Sequence, residues 1–191
     1  MRVVGIAGTD GSGKSSLAEA VMSSVGDRLV GVRAPFAEQL RHEIKELLDR
    51  DLRNNHRIPD GWMVDFSPAD PWEKPTPSWM RSLLRGWGDY KRSINPDYWV
   101  ESWRGLVQFL DARKTPRELL IIADDIRYVN ELEAIHNLGG VVLYLDDAAV
   151  PDHQLLHELL DVREMADIGF TVDSRAGKWA DPEAVVEALG L

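Results

Sequence analysis

The chain has 191 residues, of which 44% are hydrophobic and 28% charged, with a formal net charge of −10 at pH 7 and no cysteine. That length suits one domain with a substantial core and an insertion, and the missing cysteines exclude disulfides, thiolate metal sites and a cysteine nucleophile. The acidic balance argues against a DNA or RNA polymer as partner, because such binding draws on an excess of Lys and Arg; with no apolar run near the ~18 residues of a membrane span and no basic-then-apolar leader, the expectation is a cytoplasmic protein without a membrane partner.

RVVGIA, residues 2 to 7, is a β-branched apolar run ending at Gly8, which predicts a buried strand. GTDGSGKSS follows at 8 to 16, and then Leu17, Val21 and Val25 recur every four residues, predicting a helix that stops near Gly26. A second strand is expected at 29 to 34, followed by a helix whose face carries Phe36, Leu40, Ile44, Leu47 and Leu48. Between 59 and 77 the periodicity disappears and five of the ten prolines occur, which predicts a long loop. Asn95 and Pro96 open a helix with Trp99, Trp103, Leu106, Val107 and Leu110 on one side. ELLIIA, 118 to 123, reads as a strand buried on both faces, and Asp124 and Asp125 follow it. A helix on Val129, Leu132, Ile135 and Leu138, a strand at 141 to 145, a helix over 152 to 166, a short strand at 170 to 173 and a last helix capped at 181 to 183 complete the pattern. Strands alternating with helices predict an α/β fold with a mostly parallel five-stranded sheet flanked by helices, and GTDGSGKSS, which satisfies the phosphate-loop pattern G-x-x-x-x-G-K-[ST] between the first strand and the first helix, makes it one of the P-loop NTPase type.

The chemistry begins at 8 to 16. Gly8, Gly13, Lys14 and Ser15 satisfy G-x-x-x-x-G-K-[ST] between a strand and a helix. Such a loop curls so that N–H groups from Gly8, Gly11, Ser12, Gly13, Lys14, Ser15 and Ser16 meet phosphate oxygens at a helix N-terminus. Lys14 is expected on the β- and γ-phosphates of ATP and Ser15 on Mg²⁺. The aspartates at 124 and 125 lie where ligands bind in open α/β sheets, and a carboxylate there can hold Mg²⁺ through water; the alternative is that both cap the next helix. Arg81, Arg85, Lys91 and Arg92 stand against one acid, Asp89, within 81 to 92. The arginine fork matches phosphate, so this segment reads as a seat for a phosphorylated acceptor or as a solvated basic face. His153 and His157 have helical spacing but lack a third ligand, and read as structural. Six of the seven tryptophans lie between 62 and 103, as core or as a base-stacking wall.

FAEQLR (36 to 41), RSLLRGWGDYKRSINPDYWV (81 to 100) and DDIRYVNELEAIHNLGGVVLYL (124 to 145), behind the phosphate loop, resemble the bacteriophage deoxynucleoside monophosphate kinases, relatives of the adenylate kinase group. The resemblance covers roughly the first 145 residues. It implies a single kinase domain over 1 to 191 with a helical and loop acceptor-binding insertion at about 50 to 112, and ATP- and Mg²⁺-dependent transfer to a deoxynucleoside monophosphate. Asp125, Arg127, Asn130 and Glu131 fall on the family's D-x-R-x-x-N-E string, with Asp125 near metal or acceptor phosphate and Arg127 facing phosphate. Arg81 and Arg92 fall on the arginines before YWV, whereas Arg85 stands where the family usually has Gln. The family's histidine-proline-serine-glutamate string is echoed only by His157 and Glu158.

GTDGSGKSS is closer to the thymidylate kinase loop, in which an acid at the position of Asp10 lies near the acceptor sugar. Asp10 is therefore expected at the acceptor 3′-hydroxyl, with dTMP favoured. A lid that excludes water is expected at about 150 to 166, with Arg163 as its cation. Homodimers occur in the family, so a homodimer is a further implication. Two alternatives stay open. A dephospho-coenzyme A or nucleoside kinase would keep Lys14, Ser15 and Asp125 without needing the arginine cluster, and an ATPase switch would hydrolyse ATP without an acceptor.

Overall fold

The apolar runs become strands because β-branched residues suit a sheet that is covered on both faces. They are β1 (Arg2–Gly8), β2 (Leu29–Arg33), β3 (Glu118–Ile126), β4 (Val141–Asp147) and β5 (Ile168–Val172). All neighbours pair in parallel, in the order β2-β3-β1-β4-β5. The helices are α1 (Lys14–Val25), α2 (Ala37–Arg53), α3 (Ser78–Ile94), α4 (Tyr98–Asp111), α5 (Val129–His136), α6 (His157–Met165) and α7 (Pro182–Ala188). The computed structural model describes residues 1–53, 77–113, 115–151 and 157–191. All but the last residue of the loop expected from 59 to 77, Trp62, Trp72, His153 and part of the expected lid lie outside the described residues. Among those described, no helix is long and apolar enough to cross a membrane.

The chain divides into two compact units, 1–36 with 100–191, and 37–99. In the first, alternation along the strands sends side chains to two cores. Val4, Ile6, Leu120, Ile122, Leu143 and Leu145 meet Leu17, Ala18, Val21 and Val25 of α1 and Val185 of α7. Val3, Ala7, Ile121, Ala123, Val142 and Tyr144 meet Val100, Trp103 and Val107 of α4, Leu132 and Ile135 of α5 and Val162 of α6. The β1–β3 register is interrupted at one place, where Gly5 pairs with Ala123 but Ala7 with Ile126. Asp124 and Asp125 therefore share a β-bulge, a feature that re-aims side chains.

The second unit contains α2, α3 and the start of α4. Helix α3 is 17 residues long, although the sequence reading treats 81 to 92 only as a basic segment. Gly86 and Gly88 lower its intrinsic helicity, and packing restores it. Gly88 is buried, and a Cβ there would lie 3.3 Å from Arg92 Nη1 and 3.5 Å from Leu40 Cδ2, so α2 lies against α3 at this residue. Beside it, the Glu43 carboxylate accepts from Trp87 Nε1 at 2.9 Å and Tyr98 Oη at 2.7 Å. Lys91 Nζ lies 3.3 Å from the same carboxylate and 4.4 Å from the Tyr98 ring centroid.

Candidate active site

The loop between β1 and α1 is held by left-handed glycines. Gly11 and Gly13 have φ of 86° and 88°, conformations that cost a residue with a Cβ about 1–2 kcal/mol. Gly13 caps α1 without any side-chain hydrogen bond to the helix. Thr9 Oγ1 and Ser12 Oγ are buried and have no protein hydrogen-bond partner. Buried hydroxyls are nearly always paired, so two orphans beside a helix N-terminus fit an anion such as phosphate.

Lys14 belongs to the same loop. Its Nζ donates to Gly8 O at 2.9 Å and Thr9 O at 2.5 Å. Burial holds its pKa below the usual lysine value, Arg127 pushes the same way, and Asp10, Asp124 and Asp125 oppose them. Both strand-end aspartates thus act on this ammonium.

The two aspartates do different things. Asp124 is buried and faces Arg33 at the end of β2. Arg33 Nε donates to Oδ1 at 2.8 Å and Nη2 lies 2.7 Å from Oδ2, the second contact being ionic without hydrogen-bond geometry. Arg33 Nη2 also donates to Ser15 Oγ at 3.0 Å. The hydrogen bond to Asp124 raises the Arg33 pKa. Asp125 Oδ1 instead accepts from Phe36 N at 2.8 Å, anchoring the chain as it leaves β2. The carboxylate linked to Ser15 is therefore Asp124, a distinction that the bulge makes and that the DD pair alone does not. Arg33 is a site residue that sequence reading missed, since nothing in LVGVRA marks it.

Arg127 Nη2 donates to Asp10 Oδ1 at 2.9 Å, so the residue expected to face phosphate and the one expected at the acceptor sugar face each other. Glu131 is buried, and its Oε2 accepts from Arg127 N at 2.9 Å and Tyr128 N at 3.2 Å. This is a capping-box arrangement: the carboxylate positions Arg127 by fixing the entry to α5. Asn130 stands in the first turn of that helix.

Trp179 is the other residue that was missed. It is 54% exposed, and its Cε3 would lie 3.1 Å from a Cβ on Gly13. The turn before it is closed by Asp173 N to Lys178 O at 2.8 Å and Lys178 N to Asp173 O at 2.9 Å. Asp147 Oδ1 accepts from Ser174 N at 3.1 Å and ties the turn to β4. Trp99 and Trp103, by contrast, are buried. Trp103 stacks on Phe36 with centroids 4.5 Å apart and donates to Ala34 O at 2.8 Å, so both serve the core rather than a base-stacking wall.

Within the second unit, Arg81, Arg85 and Arg92 recur at spacings that place them on one side of α3. Arg81 and Arg85 are exposed, while Lys91 is turned to Glu43. Arg163, expected as a lid cation, has its Nη2 2.7 Å from Asp146 Oδ2, tying α6 to the end of β4.

Hard oxygen donors suit Mg²⁺, and the Ser15 hydroxyl with the strand-end carboxylates is such a set. Among the described residues no cluster of three or more His, Cys, Asp or Glu could hold a metal.

No family model matches the chain. A protein of Acanthamoeba polyphaga mimivirus, provisionally named a deoxynucleotide monophosphate kinase, is 30% identical over 155 residues, covering 76% of this chain and 74% of that protein. Among solved structures, TT1252 from Thermus thermophilus has a TM-score of 0.48 at 18% identity, covering 98% of this chain and 95% of that one. A sugar kinase from Janibacter sp. HTCC2649 has a TM-score of 0.36 at 18% identity, covering 98% and 91%. At those scores the structural likeness carries no functional weight.

Proposed function

Since the chain belongs to the deoxynucleotide monophosphate kinase family, we propose that it transfers the γ-phosphoryl group of ATP to a deoxynucleoside 5′-monophosphate, with dTMP favoured. The observation that carries this reading is the phosphate loop, where two buried hydroxyls lack protein partners and Lys14 is held against the loop carbonyls. The loop N–H groups of Gly11 to Ser16 bind the donor phosphates, and Lys14 turns from Gly8 and Thr9 to the β- and γ-phosphates. Mg²⁺, on Ser15 with Asp124 and Asp125 behind it, neutralises phosphate charge when bound.

An acceptor phosphate oxygen attacks the γ-phosphorus in line. The bond from phosphorus to the β–γ bridging oxygen breaks, and ADP leaves with the electron pair. The acceptor oxygen is already anionic at neutral pH, so no general base is needed, and catalysis rests on position and cations. Arg127 is assigned to the transferring group, with Glu131 positioning it and Asn130 beside it. Asp10 is assigned to the acceptor sugar, and Arg81, Arg85 and Arg92 to the acceptor phosphate. Trp179 offers a flat apolar face to the donor base next to Gly13.

The test is ADP formation from ATP and Mg²⁺ with each of the four deoxynucleoside monophosphates, against a control without acceptor, repeated with Lys14→Ala and Arg81→Ala. ADP that appears only with acceptor and is lost in both variants supports the reading. Equal ADP with and without acceptor refutes it in favour of an ATPase.

A further inference from the structure

Asp124 has a side chain only 1% exposed, and a buried carboxylate needs a counter-charge. Arg33 supplies it, and the same Nη2 reaches Ser15 Oγ. The guanidinium therefore bridges the hydroxyl assigned to the metal and the buried carboxylate behind it. A divalent cation on Ser15 Oγ would stand against this guanidinium, and two cations so close repel strongly. We propose that Arg33 and the divalent cation are alternative partners of the Ser15–Asp124 pair, so that the metal enters with the nucleotide and not ahead of it. This inference rests on the kinase reading for the role of Ser15.

Charge balance gives the order. A metal arriving alone would strip Arg33 of its carboxylate and offer it nothing in return. A metal arriving with a nucleoside triphosphate brings phosphate oxygens, and the fork of Arg33 matches those as well as it matches Asp124. The Arg33 side chain is 32% exposed, so it can leave Ser15 without crossing the core. Lys14 and Arg127 would then be joined by a third cation at the phosphates.

The experiment measures the thermal midpoint of wild type, Arg33→Gln and the double variant Arg33→Gln/Asp124→Asn. Each is titrated with MgCl2 against NaCl of equal ionic strength, alone and with ATP. Wild type is expected to be flat in MgCl2 alone and to rise with ATP and MgCl2 together. Arg33→Gln is expected to rise in MgCl2 alone, by about 3–6 °C when metal is in tenfold excess over its Kd. The double variant, lacking the carboxylate, is expected to be flat. If wild type does not respond to ATP and MgCl2, the kinase reading itself fails. If wild type does respond, but Arg33→Gln and wild type behave alike in MgCl2 alone, the exchange is overturned. Should Arg33→Gln not fold, Arg33→Lys replaces it: one ammonium cannot span both partners, so a saturable rise in MgCl2 supports the exchange and a flat response overturns it.

Discussion

Gly13→Ala isolates the geometry of the phosphate loop. The residue has φ of 88°, which costs a Cβ-bearing residue about 1–2 kcal/mol. For a chain of this size that lowers the thermal midpoint by about 2–8 °C. The new Cβ also meets Trp179 Cε3 at 3.1 Å, so the loop or the indole must shift by a few tenths of an ångström. Gly139 provides the control, because its φ is 70° and a Cβ there would meet nothing within 4 Å. Gly139→Ala carries the same backbone cost away from the loop. Both variants are expected to lose similar stability in thermal melts, while ADP formation falls at least tenfold only in Gly13→Ala, since displaced phosphate donors cost rate steeply. Gly13→Ala with unchanged kcat and KM for ATP would refute the placement of donor phosphates in this loop. Equal loss of activity in Gly139→Ala would show that the effect is one of stability.

Trp179→Ala is expected to raise KM for ATP about 5- to 150-fold, from the ~1–3 kcal/mol that base stacking on an aromatic ring contributes, while Trp179→Phe retains most of the affinity; an unchanged KM in the alanine variant would remove the indole from the donor site. Burial would raise the Glu43 pKa, but hydrogen bonds from Trp87 and Tyr98 and the Lys91 charge hold it below its usual 4.5. A depressed carboxyl contributes stability that is present above 4.5 and lost as pH falls through the folded value. Urea midpoints between pH 3 and 7 should therefore fall less steeply with acid in Glu43→Gln than in wild type, and identical slopes would contradict the network's role.

What the sequence alone determined is local. A phosphate loop is written in consecutive residues, because glycine positions, a lysine and a hydroxyl must follow one another between a strand and a helix. Five strands were legible for the same kind of reason, since short runs such as ELLIIA cannot be solvated without large cost. Asp181 at the start of α7 was readable too, and its Oδ1 accepts from Glu183 N at 3.1 Å.

Tertiary structure decided the rest. Arg33 and Asp124 are 91 positions apart, and no periodicity links them. The bulge that separates the duties of Asp124 and Asp125 is a property of strand pairing, not of the DD dipeptide. Lys91 looked like one more cation of a basic segment until Glu43, on another helix, neutralised it. Helix α3 was hidden by Gly86 and Gly88, and only the second of these is buried, facing Leu40 of α2. Trp179 reaches Gly13 from the far end of the chain, so its role depends on how β5 and α7 return to the loop. Short-range order follows from the conformational preferences of neighbouring residues, whereas charge pairing and close approach are energies between residues that only the folded chain brings together.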